Sequence, residues 1–455
     1  MTHESPAEQA LGPAPDQPVE LPRVLPSDQP VEQPPDQPKP RTLRIRPAVC
    51  ALLALGLVLV IAVVQAVRPL PAPALRIDTA HASFTLPGHF TVPWPQQGQA
   101  AVTVPGSGSV GTHGAQRPVP IASVAKVMTA YVLLTERPPK KDETGGPMIE
   151  VDAKAVADGN AKHESRVEGL TVGQRFSQRD MLKMLMIPSG NNIARLLARW
   201  ATDSDSEAAF VRKMNDAAKR LGMKDTTYTD PSGLDAKTVS TAVDQLKLAE
   251  AVMTYDAFRA VVALPSATVS GLDSPLINNM GDLLLAGLSV RRIKTGSNTP
   301  AGGTLMWAAY RTVGDRTPLI LGTMLDQHAD GPDPNGATSL TLVKKNSGQV
   351  VEAVRDALTS VTAVRKGQIV GYVDDGLGGR TPLVTTTDLT VIGVPGQRVD
   401  LRITPDGKEL PRSAKAGTKV GGVSVGSGPD AARAPLTPRN DLKAPPLVSK
   451  LTRLG

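Results

Sequence analysis

An apolar segment near the amino terminus limits how this chain can fold. It covers residues 48–67 with one polar interruption at Gln65, which is about the 20 residues that a helix needs to cross a bilayer. The basic residues that precede it are Lys39, Arg41, Arg44 and Arg46. Because positive charge collects on the cytoplasmic side of a membrane span, the sequence predicts a transmembrane helix over residues 47–67. The amino terminus would lie in the cytoplasm and everything after Arg68 outside.

A cleaved signal peptide is the alternative interpretation of this segment. Residues 64–66, Val-Gln-Ala, have the small-residue spacing of a signal peptidase site. The leader ahead of the apolar run is longer than signal peptides usually carry. The favoured prediction is therefore an uncleaved, single-pass anchor in the cell membrane.

Proline-rich regions flank the apolar segment on both sides. Residues 1–46 begin with an acidic tract that repeats Asp-Gln-Pro, and such a tract cannot bury enough apolar area to fold. It is predicted to be a disordered cytoplasmic tail. Residues 68–95 carry prolines at short intervals, which predicts an extended extracytoplasmic linker.

Composition excludes several classes of protein. The single cysteine, Cys50, rules out internal disulfides, thiolate zinc sites and iron–sulfur clusters. The net charge of +7 is diluted over 455 residues without a basic cluster, so no nucleic-acid partner is expected. The six histidines show no close ligand pairing, so zinc chemistry is unsupported and no cofactor is expected.

Residues 96–364 are predicted to form one mixed α/β domain of the α+β kind. Apolar and polar residues alternate at 101–104, and a helical period runs through 122–135. Ser177 and Asp180 have the spacing of a helix cap. Two strand-like segments, 305–310 and 319–325, predict a hairpin.

The hydropathy pattern and the composition change in the remaining carboxy-terminal residues. Residues 367–427 alternate with a period of two and contain Asp-Gly turn signals, which predicts a small all-β domain. Residues 428–455 are proline-rich and carry more bases than acids. They are predicted to be a flexible basic tail.

Two glycine-rich motifs lack the context that their chemistry requires. Residues 106–111 match G-x-G-x-x-G, but Pro118 and Pro120 interrupt the stretch where a phosphate-binding helix would begin. This motif predicts a hairpin turn instead. Residues 422–426 match the nucleophile elbow, which needs a later histidine, and none follows His328.

A Ser-x-x-Lys sequence is the first candidate for chemistry. Ser123 and Lys126 begin the helical segment and lie one turn apart on the same face. A serine nucleophile needs a base, and lysine can serve only if burial or a second cation lowers its pKa. Alone the pair is a weak signal, since it recurs about once in 200 residues at ordinary composition.

Two tripeptides strengthen this signal. Ser-Gly-Asn at 189–191 follows Pro188 in a break between two predicted helices, and Lys-Thr-Gly at 294–296 lies on or beside a strand-like segment. Each has a purely structural explanation, as a helix cap and as a strand-end turn. Their joint occurrence, in this order after Ser-x-x-Lys, is a strong signal of a serine–lysine active site.

With these motifs, the sequence resembles the low-molecular-mass penicillin-binding proteins of the serine-type D-alanyl-D-alanine carboxypeptidase family. The resemblance covers roughly residues 94–427. Four sequence segments support it: Pro-Ile-Ala-Ser at 120–123, Met-Ile-Pro-Ser-Gly-Asn-Asn at 186–192, Asp-Pro-Ser-Gly-Leu at 230–234 and Ser-Thr-Ala at 240–242. It implies a β-lactamase/transpeptidase-like antiparallel sheet with helices.

The resemblance also implies a mechanism and its partners. Ser123 would attack the bond between the two terminal D-alanines of a peptidoglycan stem peptide, with Lys126 as its base. Ser189 would transfer a proton, and Asn191 would form a hydrogen bond with the substrate amide. Lys294 and Thr295 would bind the carboxylate. The backbone amides of Ser123 and of Ser297, beside Gly296, would form the oxyanion site. β-Lactams imitate the same peptide end and would acylate Ser123.

One departure from the family's pattern concerns the substrate carboxylate. Family members usually place an arginine beyond the strand that follows the hairpin, whereas no arginine lies between Arg316 and Arg355. Carboxylate binding would then be looser, or supplied by Arg291, Arg292 or another group.

Three other functions share these motifs. Endopeptidase or transpeptidase activity would use the same pocket. A β-lactamase of the commonest class needs Glu-x-x-x-Asn after the second motif, which neither Glu207 nor Glu250 provides. A non-catalytic wall-binding scaffold would be expected to lose Ser123 or Lys126 first.

Overall fold

The computed structural model describes residues 47–139, 145–278, 290–407, 409–426 and 431–452. The tail predicted for residues 1–46 lies outside these residues, as do the side chains of Arg291 and Arg292. The helices are α1 Pro47–Val67, α2 Lys126–Glu136, α3 Ala153–Asp158, α4 Gln178–Met186, α5 Asn191–Ala201, α6 Ala208–Arg220, α7 Ala242–Val252, α8 Asp256–Val262, α9 Ala337–Ala357 and α10 Leu447–Leu451, with 3-10 turns at Thr79–His81 and Ala122–Ala125.

The strands of the described residues are shorter and more numerous. They are β1 Ala74–Ile77, β2 Ser83–Thr85, β3 Gln99–Val104, β4 Gly108–His113, β5 Val119–Pro120, β6 Met148–Glu150, β7 Arg175–Ser177, β8 Val239–Ser240, β9 Ser266–Ala267, β10 Leu276–Ile277, β11 Val290–Asn298, β12 Gly302–Tyr310, β13 Leu319–Gln327, β14 Thr359–Val364, β15 Ile369–Asp374, β16 Arg380–Thr385, β17 Leu389–Gly393, β18 Arg398–Pro405, β19 Gly421–Val425 and β20 Ala432–Pro438.

Helix α1 is formed by the apolar segment. It has 21 residues and none of them is buried. At 1.5 Å per residue this helix is long enough to cross the hydrocarbon part of a bilayer, and its composition is apolar enough to do so.

A five-stranded antiparallel sheet, in the order β11-β12-β13-β3-β4, forms the centre of the region predicted to be an α/β domain. Alternate residues of β12 face opposite sides. Met306 and Ala308 pack into an apolar cluster with helices α2 and α4 to α8, whereas Leu305 and Trp307 pack into a second cluster with α9. Because helices cover both faces, β12 has an almost continuous apolar sequence. The α+β fold and the hairpin of β12 and β13 are confirmed.

The G-x-G-x-x-G motif connects β3 to β4. Gly106 and Gly108 have φ of 87° and 94°, which favours glycine, and the two strands pair antiparallel. The predicted hairpin turn is confirmed. Gln397 donates from Nε2 to the carbonyl oxygens of Ser107 (3.3 Å) and Gly108 (3.2 Å), so the turn docks on the carboxy-terminal region.

The carboxy-terminal region contains a seven-stranded sheet in the order β1-β15-β16-β20-β19-β18-β2, with β14 and β17 pairing beside it. Its core is a separate apolar cluster that includes Val370, Leu383, Val423 and Leu436. The β-rich structure predicted for this part of the chain is present. Strand β14 pairs with β17 and shares this core, so the region begins near residue 359 rather than 367.

Two predictions from proline content are wrong. Residues 68–95, predicted to be an extended linker, supply β1 and β2 to the carboxy-terminal sheet. Residues 428–455, predicted to be a flexible tail, supply β20, which lies between β16 and β19. The physical reason is that Ala434, Leu436 and Thr437 are buried in β20, so packing of this strand outweighs the effect of its prolines.

Candidate active site

Ser123 lies on the 3-10 turn that leads into α2. The hydroxyl oxygen of Ser123 is 2.8 Å from Nζ of Lys126, the first residue of α2. Ser123 is partly exposed, whereas Lys126 is fully buried. The preceding residue, Ala122, has a φ of 44°, a conformation that an alanine rarely adopts and that often marks a functional site. The structure therefore brings the predicted nucleophile and base together.

Two further oxygens surround the Lys126 amine. Nζ lies 2.6 Å from Oδ1 of Asn191 and 2.8 Å from the carbonyl oxygen of Ser232. A neutral amine has two N–H bonds and one lone pair, so its hydrogens match these two acceptors and its lone pair faces the Ser123 hydroxyl. In that proton state the Ser123 hydroxyl donates to Lys126, as a nucleophile does to its base.

The electrostatic surroundings favour this neutral form. Burial is the largest cause that holds the pKa of Lys126 well below its usual value, and the charges of Lys294 and Arg195 lower it further. Asp230 and Glu164 act in the opposite direction. Lys126 thus meets the requirement for a lysine general base, a depressed pKa.

Ser189 lies in the break between α4 and α5, and Asn191 is the first residue of α5. Ser189 is 6% exposed and has a φ of 66°, a strained conformation for serine. Its Oγ is buried and has no hydrogen-bond partner among the described residues. Buried hydroxyls are nearly always paired, so this group is available to an incoming substrate.

The Asn191 amide is held on both sides. Its oxygen faces Lys126, and its Nδ2 donates to Oε2 of Glu164 at 2.6 Å. Glu164 also accepts from Arg195, at 2.8 Å from Nη2 and 3.3 Å from Nη1. Sequence reasoning missed Glu164, Arg195 and the Ser232 carbonyl. Ser232 belongs to the Asp-Pro-Ser-Gly-Leu segment that resembles the family, so a signal for it was present. No local sequence pattern marks Glu164.

The third motif lies on β11, one of the two edge strands of the central sheet. Gly296 closely approaches the turn that carries Ser123, since a Cβ there would lie 2.7 Å from the Ser123 nitrogen. The Thr304 hydroxyl lies within hydrogen-bond distance of the carbonyl oxygens of Ile121 and Gly296, at 3.1 Å from each. The contacts of Gly296 and Thr304 hold β11, with Thr295 and Ser297, against the Ser123 turn.

Lys294 is a second buried amine in this region. It is 4% exposed, and Nζ donates to the carbonyl oxygen of Thr295 at 2.9 Å. Burial lowers the pKa of Lys294 to about 7. Its charge reaches Lys126 strongly enough to lower the pKa of that amine as well. The charge of Lys294 therefore helps to keep Lys126 in its neutral form.

Replacing Lys294 by methionine is expected to stabilise the fold near neutral pH. The amine binds fewer protons in the folded than in the unfolded chain between about pH 7 and its ordinary pKa of 10.5. The contribution of Lys294 to wild-type stability therefore rises with pH across that window, by up to about 1.4 kcal/mol per pH unit. We expect Lys294→Met to melt at a higher temperature than wild type at pH 7. The difference in melting temperature between the two proteins should be smaller at pH 9.

Thermal unfolding of the full-length chain in detergent at both pH values checks this expectation. Lys219→Met is the matched control, because Lys219 is 79% exposed. Its difference in melting temperature from wild type should be the same at both pH values. A gap for Lys294→Met that stays constant with pH would contradict the depressed pKa.

Comparisons with known proteins identify similar sequences. The model of the peptidase S11 family, D-alanyl-D-alanine carboxypeptidase, matches residues 102–328. The chain is 30% identical over 220 residues to the D-alanyl-D-alanine carboxypeptidase of Streptomyces sp. strain K15, covering 45% of this chain and 71% of that protein.

Two further relatives extend the comparison. The D-alanyl-D-alanine endopeptidase of Pseudomonas aeruginosa is 32% identical over 213 residues, 45% of this chain and 62% of that protein, so the chain spans less than two thirds of its length. The crystal structure of penicillin binding protein 5 from Haemophilus influenzae shares the fold. That match has a TM-score of 0.53 and 20% identity over 78% of this chain and 99% of that one. On these matches, the chain belongs to the peptidase S11 family of D-alanyl-D-alanine carboxypeptidases.

Proposed function

We propose that this protein is a serine DD-carboxypeptidase that removes the terminal D-alanine from peptidoglycan stem peptides. The observation that carries the proposal is the 2.8 Å separation of Ser123 Oγ from Nζ of a fully buried Lys126. Family membership supports the substrate class, since the relative from Streptomyces is named for this activity.

The first step forms an acyl-enzyme. Lys126, neutral before the reaction, takes the proton of the Ser123 hydroxyl as Oγ attacks the carbonyl between the two terminal D-alanines. The backbone amides of Ser123 and Ser297 would hold the resulting oxyanion. The close approach of Gly296 to the Ser123 nitrogen supports this arrangement, because it brings the backbone of β11 beside that of the nucleophile.

The second step breaks the peptide bond. The C–N bond cleaves, and the proton held by Lys126 passes to the leaving amine with Ser189 as the relay. The unpaired Oγ of Ser189 supports this role. Asn191 orients Lys126 and keeps one lone pair and one N–H for the substrate amide. Water then attacks the ester, which releases the shortened peptide and restores Ser123.

Substrate binding would involve the outer edge of β11. Lys294 and Thr295 are the groups proposed to bind the terminal carboxylate. The negative charge of a bound carboxylate would favour the ammonium form of Lys294, which would then donate to it. Because β11 lies at one edge of the five-stranded sheet of the described residues, the backbone groups along its outer side suit an extended peptide.

Endopeptidase activity is a second candidate for the same pocket. The relative from Pseudomonas aeruginosa, at 32% identity, is named as an endopeptidase. Both reactions pass through the same Ser123 acyl-enzyme and differ only in the leaving amine. We further propose that α1 anchors the protein in the cell membrane, with the catalytic region outside.

Covalent labelling by a fluorescent penicillin tests the assignment of the nucleophile. We expect the full-length chain in detergent to be labelled, and Ser123→Ala to abolish both the label and the release of D-alanine from a peptide ending in Lys-D-Ala-D-Ala. Ser360→Ala, an exposed serine in β14, is the matched control and should label like wild type. Persistent labelling of Ser123→Ala would refute Ser123 as the nucleophile, and hydrolysis of a cross-linked dimer alone would favour the endopeptidase.

A further inference from the structure

The Asn191 side chain joins the catalytic amine to a carboxylate that none of the three motifs contains. Its Oδ1 is 2.6 Å from Nζ of Lys126, and its Nδ2 is 2.6 Å from Oε2 of Glu164. Glu164 lies in the segment between α3 and β7, far from Asn191 in sequence. Its side chain is 12% exposed, so the carboxylate is largely withdrawn from water.

The carboxylate determines which way the Asn191 amide points. If the amide turned over, its NH2 group would face the N–H bonds of Lys126 and its oxygen would face the Glu164 carboxylate. Both contacts would be repulsive, because each would pair two donors or two acceptors. A charge-assisted hydrogen bond to Glu164 therefore keeps an acceptor in front of the catalytic amine.

Arg195 fixes the carboxylate in turn. It lies four residues after Asn191 on α5, hence on the same face of the helix. Its guanidinium contacts both oxygens of Glu164 and also lies 3.4 Å from Asp158. Arg195, Glu164 and Asn191 thus form a chain of contacts that ends at Lys126.

We propose that Glu164, held by Arg195, is a positioning residue that orients Asn191 and balances the charge around the catalytic base. The proposal rests on the proposed function, because it assigns Glu164 a role through Lys126 and not through contact with substrate.

The charges around Lys126 come from four separate elements. They are Lys294 on β11, Asp230 in the loop before Ser232, Arg195 on α5 and Glu164 in the segment after α3. The negative charge of Glu164 raises the pKa of Lys126, and the positive charge of Arg195 lowers it. Since the two are paired, removing either one leaves the other uncompensated near the base.

This opposition gives the two residues opposite signatures in a pH profile. The rate of acylation rises with pH as Lys126 loses its proton, so the acid limb follows the pKa of Lys126. We expect Glu164→Gln, which keeps an acceptor for Asn191 but loses the charge, to move the acid limb to lower pH by roughly half a pH unit or more. Arg195→Gln should move it to higher pH.

Loss of the hydrogen bond should be separable from loss of the charge. Glu164→Ala removes both, so we expect its plateau rate to fall by about tenfold or more, whereas that of Glu164→Gln stays within about threefold of wild type. The measurement is the second-order rate of labelling by fluorescent penicillin, from pH 5 to pH 9, with the full-length chain in detergent. A purely structural role would lower the rates without moving the acid limb in opposite directions.

Glu168→Gln is the matched control on the same segment. Glu168 pairs with Arg166 and is 69% exposed, so its pH profile should match that of wild type. If the Glu164 variants also match wild type while Ser123→Ala loses the label, the positioning role is wrong and the proposed function stands. If wild type itself is not labelled at Ser123, the proposed function fails first.

Discussion

Lys126→Ala is expected to lower the rate of D-alanine release by about 10²- to 10⁴-fold, the usual contribution of a general base. The structure gives Ser123 one basic partner at hydrogen-bond distance among the described residues, the Lys126 amine at 2.8 Å. Without it, Ser123 has no group positioned to take its proton. The Asn191 and Ser232 oxygens would remain, but neither is a base at neutral pH.

The experiment compares kcat/KM for a peptide ending in Lys-D-Ala-D-Ala, using full-length chain in detergent. Lys183→Ala is the matched control, because Lys183 lies on α4, is partly buried and pairs with Asp180, outside the site. A small primary amine added to Lys126→Ala should restore part of the rate by occupying the space of the lost side chain. Wild-type activity in Lys126→Ala would end the serine–lysine proposal.

The parts of the structure that were predictable from sequence depend on local geometry. Ser123 and Lys126 face each other because three residues make one helical turn, and the Ser177 hydroxyl caps α4 by accepting from the Asp180 nitrogen. The β12–β13 hairpin follows from two apolar runs that are separated only by the mostly polar residues 311–318. In each case the partners are close in sequence, so a spacing rule is enough to find them.

The parts that were missed depend on contacts between distant segments. The Ser232 carbonyl reaches Lys126 across 106 residues, and Glu164 reaches Asn191 across 27. No spacing pattern encodes either contact. The same holds for β1 and β20, which lie on either side of the central region in sequence and join one sheet. Their proline content argued for free segments, whereas burial in the shared core decides their structure.

Gly233→Ala is expected to inactivate the protein through the backbone of Ser123, the proposed nucleophile. Gly233 has a φ of +76°, and a Cβ there would lie 1.8 Å from the carbonyl oxygen of Ala122. Because the peptide group is planar, moving that oxygen also turns the N–H of Ser123, which is the proposed oxyanion donor. We expect labelling by penicillin to slow by about 10²-fold or more, and the melting temperature to fall by roughly 5–10 °C.

Gly222→Ala separates this steric effect from the conformational one. Gly222 has a similar φ, +69°, but a Cβ there would meet nothing within 4 Å. The left-handed conformation alone costs an alanine about 1–2 kcal/mol, so this variant should lose a little stability and keep its labelling rate. If Gly233→Ala behaves like Gly222→Ala, the carbonyl of Ala122 can move without disturbing Ser123. The contact between the 230–234 loop and the nucleophile turn would then have no part in catalysis.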